Sequence, residues 1–270
     1  MDNFNKLRYF AGRRPRIMAH RGASALCPEN TLAAFRQALK DGADILEMDV
    51  HMSLDGEIVI CHDPNVERTT NGAGLISAQT YSSLVKLDAG YKFSSDAALS
   101  FPFRGKGIYL PRFEEVLQEF PDTPLNVEIK DRNPALISKI DDLLRRYGRI
   151  QDGSVLITAE IHPILKAFRE SAGDAISGHS KKELYRFLAS AWLGLDFVFA
   201  QAPGQALQMP ERSFGLNLIT ASVLKRAREL GVELHVWTLN DEAEIKKLCN
   251  LGVDGIFTDN PALMRNALRI

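Results

Sequence analysis

Short apolar segments that alternate with amphipathic helical patterns run through this chain and restrict it to one class of fold. After the first apolar segment, Asn30 is the predicted N-cap of a helix in which Leu32, Phe35 and Leu39 repeat at helical spacing until Gly42. Strands that alternate with helices form parallel α/β sheets, and eight such units favour a closed (β/α)8 TIM barrel over an open, doubly wound sheet. The predicted strands are residues 16–19, 45–50, 125–129, 154–158, 174–178, 196–200, 232–237 and 254–258.

The chain length is compatible with one such barrel as a single domain over residues 1–270. Residues 64–107 interrupt the alternation, and they are too many for an ordinary barrel connection. We therefore expect an inserted subdomain after the second strand. Four of its aromatic residues can line a mouth or fill a small core, and we favour the small core; they are Tyr91, Phe93, Phe101 and Phe103.

The segment from Asp44 to Asp63 carries an unusual density of ionisable groups inside an apolar pattern. Side chains alternate along a strand, so Glu47 and Asp49 are predicted to project from the same face. Gly56 permits a tight turn, and residues 57–61 read as a return strand that brings His62 back toward the two carboxylates. A surface strand with scattered charges is the alternative, but the charges fall on the face that an amphipathic strand would bury.

Other predicted strands also end in ionisable or aromatic residues. His20 and Arg21 follow the first strand, Glu128 and Lys130 end the third, and Trp237 ends a later one. Taken singly, such residues are usually structural or solvent-exposed. The carboxyl ends of barrel strands converge on one mouth, where barrel enzymes place their chemistry. We therefore predict that these residues share one site.

The predicted site has the chemistry of a metal-assisted phosphodiesterase. Three carboxylates without a sulfur ligand favour one hard divalent cation, Mg²⁺ or Ca²⁺; they are Glu47, Asp49 and Glu128. With that cation and two side-chain cations, Arg21 and Lys130, the site carries a small positive charge that suits a monoanionic phosphodiester. His20 and His62 are placed to serve as a general base and a general acid near neutral pH.

Composition excludes some partners and leaves others open. A net charge of -1 gives no general attraction for nucleic acid, and no segment is long and apolar enough to span a bilayer. The basic N-terminal segment, which includes Lys6 and Arg8, is not followed by an apolar segment of signal-peptide length. Three cysteines without zinc-ligand spacing predict reduced thiols in a cytoplasmic protein. The sequence does not indicate an oligomeric state.

In its ordered motifs the chain resembles the glycerophosphodiester phosphodiesterases over nearly its whole length. The motifs are His20-Arg21-Gly22, Pro28-Glu29-Asn30-Thr31, Glu47-Met48-Asp49, Asp55-Gly56, His62-Asp63, Arg68-Thr69-Thr70, Glu128-Ile129-Lys130, Trp237-Thr238 with Asn240, and Thr258-Asp259. The resemblance implies a TIM barrel with an insertion after the second strand. It also implies metal ligands at Glu47, Asp49 and Glu128, catalytic histidines at His20 and His62, and phosphate contacts from Arg21 and Lys130.

The implied reaction is hydrolysis of a small-molecule glycerophosphodiester to sn-glycerol 3-phosphate and an alcohol. Trp237 is predicted to bind the substrate together with Arg21 and Lys130. A lysophospholipase D or sphingomyelinase D-like activity on a lipid phosphodiester is the nearest alternative, and an apolar mouth would favour it. A non-catalytic phosphate-binding barrel is a third possibility. It is disfavoured because binding a phosphate needs cations but not an acid–base pair of histidines.

Overall fold

A computed structural model describes residues 7–213 and 215–269. Part of the basic N-terminal segment discussed above, including Lys6, lies outside these ranges. The described residues form ten strands: β1 (Arg16–Ala19), β2 (Ile45–Met52), β3 (Ile58–Ile60), β4 (Leu125–Ile129), β5 (Val155–Thr158), β6 (Ala206–Pro210), β7 (Arg212–Ser213), β8 (Leu216–Asn217), β9 (Glu233–Trp237) and β10 (Gly255–Thr258).

The helices of the described residues follow the strands in the expected alternation. They are α1 (Leu32–Lys40), α2 (Tyr81–Leu84), α3 (Phe113–Glu119), α4 (Ala135–Arg146), α5 (His162–Ser171), α6 (Lys181–Leu193), α7 (Ala221–Leu230), α8 (Glu242–Leu251) and α9 (Pro261–Leu268). Side-chain N-caps stabilise the first turn of several helices. Thr31, Ser180 and Asp241 each accept a hydrogen bond from a backbone N–H in that turn. In the part of the chain that the structure describes, no helix has the length and apolarity needed to cross a membrane.

The central sheet is parallel and curls into a TIM barrel. Its order is β5-β4-β2-β1-β10-β9-β6. Between β5 and β6, residues 176–178 complete the ring: Ser177 bridges Ile157, and the N–H of Gln205 donates to the carbonyl of Ser177 at 2.8 Å. The predicted fold class is confirmed. The expected strand at 174–178 is present only as this bridge.

One predicted strand is wrong. Residues 196–200 do not join the sheet, because Asp196–Phe199 forms a 3-10 helix; the sixth sheet strand is β6. Phe199 packs on Phe187 of α6 with the ring centroids 5.8 Å apart. The carbonyl of Phe199 accepts a hydrogen bond from Arg226 at 2.9 Å. This segment is therefore stabilised by packing against α6 and by hydrogen bonds from arginine side chains to its carbonyl groups. It does not pair with a neighbouring strand.

The apolar core consists mainly of two large clusters, one in each half of the barrel. One apolar cluster joins β2, β4 and β5 to α3, α4 and α5, and a second joins β6, β9 and β10 to α6, α7 and α8. Burial along these strands is nearly continuous, as expected for a parallel sheet that helices cover. The strands of the barrel are therefore closely packed, and this packing fixes the positions of the residues at their carboxyl ends.

The segment 64–107 lies beyond a short antiparallel extension, in which β3 pairs with β2. It includes a 3-10 helix, Ile76–Ala78, and α2. A small apolar cluster joins Val66, Ile76 and Leu84 of the segment to Val59 of β3 and to Leu110. The four aromatic residues are half-buried and pack outside that cluster: Phe93 lies on Phe103, and Arg104 stacks on Tyr91 and Phe101.

Candidate active site

Three carboxylates meet at the carboxyl ends of β2 and β4. Glu47 and Asp49 project from one face of β2, and Asp49 is paired in register with Glu128 on β4. One oxygen from each of the three lies within 4.8 Å of the others. Glu47 and Asp49 are only 3% and 1% exposed. Such a cluster of buried anionic oxygens is unstable alone and matches the ligands that a hard divalent cation prefers.

The cost of ionising the buried cluster is evident in the pKa of Glu47. Burial and the neighbouring charge of Asp49 raise that pKa to about 8, with Glu128 adding to the effect. The pKa of Glu128 is also raised, chiefly by burial. A divalent cation would remove the cost of ionising these groups, and the all-oxygen donor set fits Mg²⁺ or Ca²⁺. The described residues therefore fit the metal that the sequence predicted.

Two cations flank the acidic cluster. Lys130 places its Nζ 2.9 Å from Oε1 of Glu128 and 3.3 Å from Oδ1 of Asp49. Arg21 places its Nε 3.3 Å from Oδ2 of Asp49. Both cations are largely buried and remain charged, since the surrounding carboxylates raise the pKa of Lys130 against the opposing effect of its burial. These cations can contact the non-bridging oxygens of a phosphodiester at the cluster.

The loop after β1 is shaped around the cluster. Arg21 has a φ of 56°, and its backbone N–H donates to Oε2 of Glu47 at 2.7 Å. Asn30 also has a φ of 56°, and its side-chain amide donates to Oδ2 of Asp49 at 3.0 Å. The sequence pattern had indicated Asn30 as the N-cap of α1, which is wrong: Thr31 caps the helix. Asn30 instead orients a carboxylate of the site.

His20 lies directly after β1 and is held by a half-buried carboxylate. Its Nδ1 is 2.8 Å from Oδ1 of Asp259, which also accepts a hydrogen bond from Ser24 at 2.9 Å. Asn240 donates to the other oxygen of Asp259 at 2.6 Å. Burial opposes protonation of His20, but Asp259 and the charge of Glu47 outweigh it and raise the pKa of the imidazole. Nε2 is thereby the atom that can exchange a proton with a ligand.

His62 has the same arrangement on the other side of the mouth. Its Nδ1 is 2.7 Å from Oδ1 of Asp63, and the second oxygen of Asp63 accepts a hydrogen bond from Arg68. His51 lies beside it, with Nε2 3.0 Å from the carbonyl of His62. The Arg68 turn, which belongs to the segment 64–107, thus reaches the site.

Glu29 connects the two sides. It receives two hydrogen bonds from Arg68, at 2.6 and 2.7 Å, and one from Arg21 at 3.0 Å. Its pKa is lowered, because these guanidinium groups outweigh burial. The sequence motifs indicated no role for Glu29, Asp63 or Asp259. Each stands within a motif that was quoted, but a carboxylate that orients another side chain leaves no spacing pattern of its own.

The structure thus brings His20, His62, the three carboxylates, Arg21 and Lys130 to one mouth. Trp237, at the end of β9, is 42% exposed and lines a cleft of about 520 Å³ that also includes Glu128. The apolar part of the cleft wall comes chiefly from α6 and the β7–β8 hairpin, and polar side chains such as Thr158 and Gln208 complete it.

The model of the Glycerophosphoryl diester phosphodiesterase family matches residues 20–263, a range that includes every residue of this mouth. The chain belongs to that family. The glycerophosphodiester phosphodiesterase family is one of phosphoric diester hydrolases, so the fold and the predicted enzyme class agree.

Curated members of the family resemble this glycerophosphodiester phosphodiesterase along most of its length. The Glycerophosphodiester phosphodiesterase of Caldanaerobacter subterraneus subsp. tengcongensis is 32% identical, and the match covers 94% of this chain and 97% of the relative. The Lysophospholipase D GDPD1 of Homo sapiens is 30% identical, with coverage of 93% and 85%.

A solved structure of the family has the same fold. It is an Oleispira antarctica phosphodiesterase in complex with the product sn-glycerol-3-phosphate, and it is 26% identical with a TM-score of 0.76, covering 95% of this chain and 97% of that chain. The match extends over the whole barrel. The family assignment therefore rests on sequence and fold together.

Proposed function

We propose that this family member hydrolyses glycerophosphodiesters to sn-glycerol 3-phosphate and an alcohol, with one Mg²⁺ or Ca²⁺ at Glu47, Asp49 and Glu128. The observation that carries the proposal is the pair of carboxylate-oriented imidazoles beside that buried acidic cluster. An acid–base pair next to a metal site is what cleavage of an unactivated phosphodiester requires.

When bound, the divalent cation supplies Lewis-acid stabilisation of the charge that develops on the phosphoryl oxygens. Arg21 and Lys130 bind and orient those oxygens from the flanks of the cluster. Arg21 is suited to bridging two oxygens because its guanidinium is planar, whereas the ammonium of Lys130 acts as a point charge. The two cations are kept in position by Asp49, which contacts both.

The proton steps belong to His20 and His62. One imidazole takes the proton from the glycerol hydroxyl next to the phosphorylated carbon, whose oxygen attacks phosphorus. The other protonates the departing alcohol oxygen as the P–O bond to it breaks. Because the attacking hydroxyl is already tethered, the step is intramolecular, and effective molarities for such reactions reach about 10⁵ M or more. A cyclic phosphate results, and water opens it with the histidine roles reversed.

A direct test is release of sn-glycerol 3-phosphate from glycerophosphocholine by the wild-type protein and by His20→Ala and His62→Ala. Each substitution is expected to lower kcat by on the order of 10² or more. Both histidines lie at the mouth and not in the apolar core, so circular dichroism spectra should be unchanged. Near-normal kcat in either variant would remove that histidine from the mechanism.

A second candidate function is lysophospholipase D activity, and the apolar cleft is the observation that favours it. The cleft that includes Glu128 is also lined by Leu184, Leu188 and Leu218. Its volume, about 520 Å³, lies within the range of small-molecule sites. A glycerophosphodiester that carries an acyl chain could place the chain there while its phosphate lies at the acidic cluster.

Chain length provides the experiment for this candidate. Burial of a methylene is worth about 0.8 kcal/mol, so kcat/KM for lysophosphatidylcholines below their critical micelle concentration should rise by roughly fourfold per added methylene until the cleft is full. Glycerophosphocholine is the reference without a chain. A value of kcat/KM that is independent of chain length would exclude the cleft as a chain site and leave the first candidate untouched.

A further inference from the structure

Helix α6 has two apolar faces, and they have different environments. Phe187 is fully buried against the barrel, within the same cluster as β6 and β9. Another face lines the cleft, with residues three or four apart as expected for one side of a helix. Its members are Leu184, Tyr185, Leu188, Trp192 and Leu193. The inner part of this face, Leu184 and Leu188, forms the floor of the cleft.

The outer part of that face is strongly exposed. Leu193 is 68% exposed, Tyr185 53% and Trp192 42%. Across the cleft, Leu216 of the β7–β8 hairpin is 59% exposed. We call these four residues the apolar rim. Single exposed apolar side chains are ordinary on protein surfaces, whereas four around the opening of one cleft mark an interaction surface.

We propose that the apolar rim is a docking face for the surface of a lipid aggregate, from which a monoacyl phosphodiester enters the cleft. The inference rests on the lysophospholipase D candidate, because it assigns the cleft to an acyl chain. Its own observation is different: the exposure of the rim and its continuity with the cleft that includes Glu128.

The chemistry of the rim favours lipid over a protein partner. Trp and Tyr have apolar rings with polar tips and are enriched where proteins meet the membrane–water boundary. The rim encloses the opening of the cleft, so a second copy of the chain seated on these residues would block the route to the acidic cluster. A lipid surface leaves the route open and supplies the substrate.

The experiment is co-sedimentation of the metal-free, full-length protein with phosphatidylcholine vesicles. The variant to compare is the double substitution Leu193→Ser with Leu216→Ser. Removing two side chains that can enter the lipid should lower the partition coefficient by roughly tenfold or more. Leu54→Ser is the matched control, because Leu54 is 64% exposed but does not line the cleft. It should partition like the wild-type protein.

Three outcomes would overturn the proposal. They are a wild-type protein that does not sediment with vesicles, an equal loss in the Leu54→Ser control, and a wild-type dimer that the rim variant dissociates in analytical ultracentrifugation. The last result would make the rim a contact between copies of the chain. Turnover of glycerophosphocholine by the wild-type protein, measured on the same preparation without vesicles, tests the proposed reaction separately.

Discussion

The Nδ1 atom of His20 lies 2.8 Å from Oδ1 of Asp259, and His62 stands in the same relationship to Asp63 at 2.7 Å. In each pair the carboxylate holds one ring nitrogen and leaves Nε2 for the ligand. The two imidazoles are therefore oriented by the protein before any substrate arrives. This repeated arrangement is the basis for assigning proton transfer to them.

Substituting the orienting carboxylates should separate the two histidine roles. Asp259→Asn and Asp63→Asn should each lower kcat for glycerophosphocholine by on the order of 10², because the amide no longer fixes the ring. p-Nitrophenol is a good leaving group that departs without a general acid. With a p-nitrophenyl substrate, kcat should therefore largely recover in the variant whose affected histidine is the general acid, and it should stay low in the other variant. Asp122→Asn, at an exposed ion pair with Arg8, is the control and should have wild-type kcat. Wild-type kcat in Asp259→Asn would contradict this account of His20.

The hydrogen bonds of Glu29 to Arg21 and Arg68 should affect kcat/KM and leave folding unchanged. Glu29→Gln removes the charge shared by Arg21 and Arg68, and we expect kcat/KM to fall by roughly tenfold or more as both guanidinium groups lose their common anchor. Glu119→Gln is a matched control, since Glu119 also binds one arginine, Arg36, through two hydrogen bonds, but on the surface. If both variants lose activity equally, or neither does, Glu29 has no positioning role.

The raised pKa of Glu47 predicts how metal stabilisation depends on pH. Its folded pKa, about 8, lies above the ordinary value of 4.5, so the metal-free fold prefers the protonated carboxyl and loses stability as pH rises between these values. A bound cation replaces that proton. The increase in Tm on adding saturating Mg²⁺ or Ca²⁺ should therefore grow from pH 5 to pH 8, and Glu47→Gln should flatten the dependence. An increment in Tm that is the same at every pH would contradict the assignment of Glu47 as a ligand.

The sequence predicted the barrel and its acidic cluster well because both depend on local alternation. A period of two placed Glu47 and Asp49 on one face, and the rule that parallel strands end at one edge brought Glu128 beside them. It failed at residues 196–200, where an apolar segment resembles a strand but packs on α6 through Phe199. The strand in its place, β6, begins at Ala206 and ends at Pro210, and both residue types are depleted in strands.

The residues that orient the catalytic side chains could not be predicted from the sequence, for a different reason. Asp259 reaches His20 from the opposite end of the chain, and Arg68 reaches Glu29 across a separate loop. Such contacts depend on ring closure and on the path of the segment 64–107. The mistaken N-cap at Asn30 has a similar origin, because propensity suits both Asn30 and Thr31, and the carboxylate of Asp49 decides between them.

The identity of the nucleophile can be tested with an analogue of glycerophosphocholine that lacks the hydroxyl adjacent to the phosphorylated carbon. If that hydroxyl attacks phosphorus, the analogue should bind but turn over at least about 10²-fold more slowly, since the intramolecular advantage is lost. Phosphorus NMR of the normal substrate should then show a transient cyclic phosphate. Comparable kcat for the analogue, with no cyclic product, would show that water attacks directly.

Metal-dependent cleavage of glycerophosphodiesters at the acidic cluster can be followed directly by its phosphorus-containing product. Phosphorus NMR of the full-length protein with glycerophosphocholine should show sn-glycerol 3-phosphate accumulating with Mg²⁺ or Ca²⁺, stopping in excess chelator, and resuming when the cation is restored. Undiminished turnover in exhaustive chelator, or release of phosphocholine in place of sn-glycerol 3-phosphate, would contradict the account.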